Sequence, residues 1–519
     1  MNLGKRFHIA RVSDVVSREY WTTVFSKIND GAADLDEAAD GADALAEGIA
    51  WKTNEDINLA LTACYGAMRR DLFSFSTPCW DNLTDNGYGQ HAERQYGMTT
   101  NMVIGNIEPS SDGFVFAVYT GAFADIARVN IFLDRLRKFN KLDDAAKKQY
   151  EAEARMLRAY FYSYLYRGYG EVPIVSEPLN LETQYQEKKP MDEVYKFIMD
   201  DINFAIDNLP DQTYNESKGR WTKNAAKAYK ARMILFTAYD ENGNMITNKM
   251  TEAKTLLGEI RGYTLANDFS DNFNDLKQES SPEIMMSIKF LAPNTSSSAD
   301  MWYADWLVVS PLINFLEAFE MKDGTPGQPI PRKVGSKFLI DLKSFSNASL
   351  TDRDPRLAKT VFIEKYIING NEYTGGNAKP TGAGLYKFLS PNLTPPFGYS
   401  TKSQQDWVIM RYADVLLMLA EAENELNGPT ELVYKSINTI RKRALMPKLS
   451  PKLSKKQMRN KIRNERRVEL AFEGHRYFDL KRWKTAASTC ASTESGTCTT
   501  IWSPSKSALN TVGQALRQA

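Results

Sequence analysis

Apolar side chains recur every three or four residues over much of this chain, which is the spacing of amphipathic helices. The pattern is clear in residues 55–70 ("EDINLALTACYGAMRR"), 118–139 and 143–170. Because only a few residues join the last two segments, the pattern predicts an antiparallel helical pair over about 118–170.

The same helical pairing recurs twice further along the chain. The segments are residues 191–210, 221–240 and 251–262, and then residues 406–428 and 429–445. Gly428 and Pro429 predict the end of one helix and the start of the next. With the pair at 118–170, the predicted pairs at about 191–262 and 406–474 favour a tetratricopeptide-like stack of helical hairpins.

Residues 265–405 differ in composition from the helical segments, because they are rich in Asn, Ser, Gly and Pro. Two short stretches look like strands, "EIMMSIKF" (283–290) and "KTVFIEKYIING" (359–370). A stretch of this length without helical period predicts loops laid over a helical scaffold. We therefore expect a mainly α fold, decorated by long irregular loops and a few short strands.

Composition narrows the classes of protein. The chain has 519 residues and a formal net charge of +1, which argues against a nucleic-acid partner. No apolar run is long enough to predict a membrane span, and the first residues show no secretory signal. Aromatic residues make up 11% of the chain, so they need a place in the core or on a ligand-binding surface.

Cysteine and motif patterns predict neither a metal nor a cofactor. Cys64, Cys79, Cys490 and Cys498 form no C-x-x-C pair and have no nearby histidine, which argues against zinc. A disulfide between Cys490 and Cys498 stays open. No nucleophile elbow, phosphate-binding glycine loop or H-E-x-x-H motif occurs.

Three long segments carry a resemblance to a known family. They are "LRAYFYSYLYRGYGEVPIV" (157–175), "MRYADVLLMLAEAENEL" (410–426) and "RNERRVELAFEGHRYFDLKRW" (463–483). In this order they resemble hallmark segments of the SusD/RagB family. The resemblance covers about residues 51–485 and implies one SusD-like domain there. Residues 1–50 and 486–519 are atypical for the family.

Family membership would imply a function. The resembled proteins are surface glycan-binding lipoproteins of Gram-negative outer membranes, and they partner a SusC-like TonB-dependent transporter. The resemblance therefore implies a non-catalytic protein at the cell surface, with a glycan ligand and a lipid anchor in the full-length precursor. No lipoprotein signal is visible in this chain.

The segment 463–483 admits two interpretations. His475 beside Glu473 or Asp479 is typical of general acid–base chemistry. We favour a structural role, in which a helix from Lys461 to Gly474 and the residues after it form a buried network. The structural residues are Glu469, Gly474, His475, Arg476, Tyr477, Asp479, Arg482 and Trp483.

Sugar sites combine exposed aromatic rings with polar side chains. Two stretches have that composition, residues 77–96 and 293–306. The candidates are Trp80, Asp81, Asn82, Tyr88 and Arg94, and then Trp302, Tyr303 and Trp306. Phe397 and Tyr399 are weaker candidates for the rim of the same face.

Alternatives remain at this point. Trp80 either forms a platform or fills the core, and Trp302, Tyr303 and Trp306 cannot all face outward. The Asx-rich run at 81–86 lacks the pattern of an EF-hand, so we predict no metal. A peptide-binding helical scaffold is the main rival function, and a glycoside hydrolase, which needs two opposed carboxylates, is a weaker one.

Overall fold

The computed structural model describes residues 51, 53–89, 114–336, 339–363, 366–368, 370–373 and 381–491. The chain divides into two compact units. Of the described residues, the first comprises 51–70 and 116–211, and the second comprises 71–89, 114–115 and 212–491. Our expectation of one domain over 51–485 did not anticipate this division.

The first unit is built from long helices. Its described helices are α1 (Asn54–Ala67), α2 (Phe114–Lys138), α3 (Asp144–Tyr169) and α4 (Met191–Asn208). Helix α2 belongs to this unit from Phe116 onward. Helix α1 starts with a reciprocal cap: the Thr53 hydroxyl accepts the N–H of Asp56, and the Asp56 carboxylate accepts the N–H of Thr53. Such a cap satisfies N–H groups that the first turn leaves without partners.

Helix α3 forms the centre of the first unit. It runs antiparallel to α2, as the short join predicted: Phe123 of α2 contacts Tyr162, and Tyr119, one turn earlier in α2, contacts Tyr169 at the end of α3. It also packs on α4, where the buried Asp201 accepts hydrogen bonds from Arg158 at 2.8 Å and Arg155 at 2.7 Å. A buried carboxylate needs such partners, so this ion pair fixes the register of the two helices.

One helix in the described part of the chain, Phe116–Lys138, is long and apolar enough to cross a membrane by length and composition. Of its most apolar 18-residue window, 56% is buried within the protein. The buried face, including Val118, Ile126 and Phe132, lies in the core. A core helix meets the same length and composition test.

The second unit contains the remaining described helices. They are α5 (Tyr214–Ser217), α6 (Lys223–Phe236), α7 (Thr247–Gly258), α8 (Ile313–Glu317), α9 (Asn347–Leu350), α10 (Arg356–Thr360), α11 (Tyr412–Asn427), α12 (Glu431–Arg443), α13 (Lys455–Glu469), α14 (Arg476–Arg482) and α15 (Ala486–Ala491). Helix α7 packs on α6 and α11, and α11 packs on α12 and α13.

The α11–α12 hairpin follows the sequence prediction at its turn. Gly428 has a φ of 80°, which a residue with a side chain adopts only with strain, and its N–H donates to the Asn424 carbonyl at 2.9 Å. Behind the turn, Ala420 of α11 packs with Ile437 of α12 and Ile462 of α13. This core joins the three helices.

Short antiparallel pairs make up the described sheet structure. The pairs are β1 (Gly87–Tyr88) with β5 (Ser310–Pro311), β2 (Val172–Pro173) with β3 (Lys188–Lys189), β4 (Ile284–Ile288) with β10 (Trp407–Arg411), β6 (Val361–Ile363) with β9 (Ala383–Leu385), and β7 (Tyr366–Ile368) with β8 (Asn371–Tyr373). The mainly α fold with long loops and few short strands is therefore confirmed.

Three local predictions need correction. The segment 406–428 begins as the buried strand β10, because its first residues pair with β4 before α11 starts at Tyr412. The predicted pairing of 191–210 with 221–240 is divided between the two units. The helix predicted to reach Gly474 ends at Glu469, because Phe472 and Gly474 adopt φ values of 58° and 77° that are not helical.

Candidate functional site

Two loops of the second unit come together near residues 297 and 403. The N–H of Ser297 donates to the Ser403 carbonyl at 2.9 Å, and the N–H of Ser403 donates to the Ser297 carbonyl at 3.4 Å. The first loop continues into a single π-helical turn, Met301–Asp305. The second includes a tight turn in which Gly398 and Thr401 bond to each other. Each loop therefore has a fixed conformation of its own.

These loops present two aromatic rings at the surface. Trp306 ends the π-helical turn and is half-buried, while Tyr399 is 76% exposed. The ring centroids lie 5.4 Å apart with an interplanar angle of 82°, an edge-to-face contact. We call Trp306 and Tyr399 the aromatic corner.

Polar side chains flank the aromatic corner along the same two loops. Asp305 is partly exposed beside Trp306, and burial raises the pKa of its carboxyl above the ordinary value. Asn294, Lys402 and Gln404 are exposed. Apolar ring faces with amide, ammonium and carboxyl groups nearby match the hydroxyls and CH faces of a sugar.

Trp80 does not form a platform. Its side chain is 3% exposed and packs against the rings of Phe114, Tyr477 and Phe478 at 4.8 to 5.1 Å. It lies in a short 3₁₀ helix, Thr77–Leu83, all of which is buried. The prediction of an exposed Trp80 is therefore wrong, since the ring fills the core.

The polar neighbours of Trp80 are buried as well. Asp81 accepts a hydrogen bond from Asn86 at 2.9 Å, and Asn82 donates to the Val308 carbonyl at 3.2 Å. Their role as surface contacts to a sugar is wrong for the same reason. Tyr88 is half-buried in β1, where it pairs with Ser310, and Arg94 lies outside the described residues.

The run 302–306 is divided between core and surface. Trp302 is 2% exposed, and Tyr303 is fully buried, with its hydroxyl donating to the Phe75 carbonyl. These two predicted contacts are corrected, whereas Trp306 of the same turn reaches the surface. Successive residues of a helical turn point in different directions, so one turn can both anchor the loop and present a ring.

The charged segment 463–483 lies inside the second unit. Arg411 bonds to Glu283 at 2.8 Å, Glu469 at 2.6 Å and Glu473 at 2.7 Å, and all four side chains are buried. Arg443 and Arg356 bond to Glu469 as well. We call this group the charge layer; its members are Glu283, Arg356, Lys387, Arg411, Arg443, Glu469 and Glu473.

Electrostatics keep the charge layer ionised. Burial alone would raise the pKa of the Glu469 carboxyl, but Arg443, Arg411 and Arg356 hold it well below its usual range. Lys387 bonds to Glu473 at 2.6 Å, and burial lowers the pKa of its ammonium group to about 8. The layer thus joins β4, β10, α12 and α13 through charges that have partners.

A second buried cluster fixes the end of the segment. Asp479 accepts bonds from Arg466 at 3.0 Å and Arg482 at 2.8 Å. Arg482 and the indole N–H of Trp483 both donate to Glu421 of α11. These bonds hold helix α14 against α11 and α13.

Arg476 and Gly474 connect the segment to the Trp80 region. Arg476 bonds to Asp85 at 2.8 Å. A Cβ on Gly474 would lie 2.1 Å from a Thr77 side-chain carbon, so no other residue fits there without a shift. Tyr477 packs on Trp80. Residues of the charged segment 463–483 thus hold the core around Trp80.

His475 is not arranged for acid–base chemistry. Burial, followed by the charge of Arg232, lowers the pKa of its imidazole to about 3. The ring is therefore neutral at neutral pH, and the neighbouring Asp479 carboxylate is committed to two arginines. These contacts favour the structural interpretation. Among the described residues, no group of three or more His, Cys, Asp or Glu side chains is placed to hold a metal.

Solved structures define the class of fold. A SusD-like carbohydrate binding protein from Bacteroides fragilis matches with a TM-score of 0.71 and 23% identity, covering 85% of this chain and 88% of its own. A laminarin binding SusD-like protein matches with a TM-score of 0.63 and 21% identity, covering 90% and 98%. The fold is that of the SusD-like proteins.

Sequence comparison gives the family. The SusD family profile matches residues 269–508, and a profile described as "Starch-binding associating with outer membrane" matches residues 33–235. SusD-like protein P38 of Formosa agariphila is 25% identical over 83% of this chain and 84% of its own length, and SusD-like protein P2 of the same organism is 25% identical over 88% of each. The chain belongs to the SusD/RagB family. The two profiles extend beyond the expected limits of 51 and 485.

Proposed function

We propose that the protein binds glycans without catalysis, and that the aromatic corner is the platform on which a sugar ring lies. One observation carries this proposal: Trp306 and Tyr399 meet edge to face at the surface, on two loops that are bonded to each other. A half-buried ring keeps its orientation, so a sugar would meet a surface that is already formed.

The printed descriptions of the relatives support the ligand class. The matched profile is described as starch-binding, and the two solved structures are described as carbohydrate binding and laminarin binding. Asp305, Lys402 and Gln404 would supply hydrogen bonds to hydroxyls around the ring. The particular glycan would depend on which of these groups it satisfies.

The family description also supports association with the outer membrane. We propose that the protein works at the cell surface, held by a lipid anchor on the full-length precursor, and passes its glycan to a SusC-like TonB-dependent transporter. In that arrangement weak, reversible binding is useful, because the ligand must be released to the partner.

Affinity gels cast with a panel of polysaccharides test the proposal. We expect retardation by at least one glycan, with no release of smaller sugars after long incubation. Release of product would show a hydrolase instead. Migration unchanged by every glycan would contradict glycan binding and favour the peptide-binding scaffold.

Variants of the aromatic corner test the site. Trp306→Ala and Tyr399→Ala should each weaken binding to the retarding glycan by about tenfold, or about 1.4 kcal/mol, since fully burying a large apolar side chain contributes about 1.5–3 kcal/mol and each ring would be covered on one face. Tyr185→Ala is the matched control, because Tyr185 is also an exposed tyrosine but lies on a loop of the first unit. Equal retardation of all three variants and the parent would overturn the site assignment.

A further inference from the structure

Asp300 lies at the base of the aromatic corner and is almost completely buried. It directly precedes the π-helical turn that ends at Trp306, and its residue is 1% exposed. One carboxyl oxygen accepts the backbone N–H of Ser390 at 2.7 Å. The side chain therefore ties the loop that carries Trp306 to a separate segment of the chain.

Asp300 stands where three segments meet. The Ser390 segment is anchored in turn by Asp275, which accepts bonds from the Ser390 hydroxyl at 3.4 Å and the Asn392 amide at 2.7 Å. Ser403 belongs to the loop that carries Tyr399, and its hydroxyl faces the Asp300 carboxyl. Both rings of the aromatic corner are thus tied to the surroundings of one acidic side chain.

The surroundings of Asp300 favour its neutral form. Burial raises the pKa of its carboxyl to about 7, the Ser390 N–H and the Ser403 hydroxyl oppose this rise, and the charge of Asp275 adds to it. The second carboxyl oxygen forms no well-aligned hydrogen bond to the described residues. On its own loop, Asp305 is the other acidic group near the corner. An ionised Asp300 would therefore be a poorly compensated buried charge.

We propose that Asp300 is a positioning residue that makes glycan capture depend on pH. With a neutral carboxyl, the three segments close around Asp300 and hold Trp306 beside Tyr399. With an ionised carboxyl, repulsion from Asp275 and the need for water separate the segments and disturb the corner. This inference rests on the proposed function, because it concerns the same glycan site.

The sign of the effect follows from the buried charge. Glycan binds to the closed form, in which the Asp300 carboxyl is protonated. The affinity for glycan is therefore highest below the pKa of about 7 and falls as the carboxyl ionises. We expect the dissociation constant of the parent protein to rise about 3- to 10-fold from about pH 5.5 to about pH 8.5. This rise corresponds to a carboxyl pKa about 0.5 to 1 unit higher in the glycan complex than in the free protein, because one pKa unit is a factor of ten.

The test compares Asp300→Asn with the parent, using titrations of a glycan that retards the protein on gels. Asparagine keeps the acceptor for Ser390 but does not ionise, so the affinity of this variant should be independent of pH. A pH dependence equal to that of the parent would overturn the proposal, as would a parent affinity that does not change with pH.

A second buried aspartate serves as the control. Asp81→Asn removes an acid whose pKa burial also raises to about 7, but which bonds to Asn86 and not to the loops of the aromatic corner. This variant should keep the pH dependence of the parent. Loss of the pH dependence in Asp81→Asn, with retention in Asp300→Asn, would contradict the role of Asp300.

A second measurement works without a glycan. Fluorine NMR of protein labelled with fluorotryptophan, with the Trp306 signal assigned by Trp306→Phe, should show that signal moving or broadening between about pH 5.5 and about pH 8.5, where a group with a pKa near 7 titrates. In Asp300→Asn the signal should stay unchanged. If no glycan binds but the Trp306 signal responds to pH through Asp300, the proposed function fails and the role of Asp300 in positioning Trp306 stands. A Trp306 signal that does not respond to pH would overturn that role.

Discussion

The charge layer is buried in the core of the second unit, whereas the aromatic corner lies at the surface of the same unit. In the charge layer, Arg411 and Glu469 are buried between strands and helices, and each bonds to several partners. In the aromatic corner, Tyr399 is 76% exposed on a loop and packs on one half-buried ring. The difference lies in the number of partners that the fold supplies to each side chain.

This contrast separates scaffold from site. A buried charge is tolerated only when it is paired, so residues of the charge layer contribute to the folded state and are not free to bind a ligand. An exposed ring has no such constraint, which agrees with the proposal that the aromatic corner meets a sugar. Substitutions in the two regions should therefore affect different quantities, namely stability and glycan affinity.

The largest expected effect comes from breaking the charge layer. Arg411→Met removes the guanidinium that Glu283, Glu469 and Glu473 share, and these buried carboxylates keep only their bonds to Arg356, Arg443 and Lys387. We therefore expect a loss of about 3–5 kcal/mol in the free energy of unfolding. Chemical denaturation measures it. Arg137→Ala is the control, because its ion pair with Glu177 is on the surface and should contribute less than about 1 kcal/mol. Equal losses in the two variants would mean that the layer is not structural.

A Trp80 variant tests whether this ring belongs to the core or to the glycan site. Trp80→Ala should lower the free energy of unfolding by about 3–5 kcal/mol, since it leaves a cavity among Phe114, Tyr477 and Phe478. The protein that remains folded should bind glycan as the parent does. Trp306→Ala should show the reverse, with a small change in stability and weaker binding. If Trp80→Ala stays stable but loses binding, the ring is a platform and the core assignment is wrong.

A smaller effect is expected from pH. Burial alone would raise the pKa of Asp479, but Arg466 and Arg482 lower it to about 2. A carboxylate with a lowered pKa stabilises the fold above its unfolded value, and this contribution is lost as the pH falls from about 4 to about 2. At about 1.4 kcal/mol per pKa unit, it amounts to about 2 kcal/mol.

Denaturation curves across that pH range check this contribution. Asp479→Asn should be less stable than the parent at neutral pH, and the gap should close near pH 2. Asp81→Asn should behave in the opposite way: burial raises the pKa of Asp81, so the substitution should help most above about pH 7. A gap that is constant with pH for Asp479→Asn would contradict the ionised cluster.

Much of the fold could be predicted, because helical periodicity reports which side of a segment is buried. Glu465, Glu469 and Glu473 recur every four residues in the sequence, and like charges at that spacing repel each other on a helix, so positive partners are needed. What periodicity could not show was that Arg356 and Arg411, more than 50 residues earlier in the chain, would supply some of them. Such pairings depend on contacts between distant segments.

The site was harder to predict for a related reason. Aromatic residues with polar neighbours occur both in 77–96 and in 293–306, but only the tertiary fold decides which ring is covered. Trp80 is covered by α14, whereas Trp306 lies at the end of a turn with solvent on one side. Tyr399 was a weak candidate because its loop has no periodic pattern, and Asp300 carries no signal in the sequence apart from its place before the aromatic run.

The most direct test of the account is a structure of the protein with a bound oligosaccharide of the glycan that retards it. The account predicts a sugar ring lying on Trp306 with Tyr399 at its edge, and the side chains of the charge layer unchanged. A sugar bound elsewhere, with both rings of the aromatic corner still exposed to solvent, would contradict it.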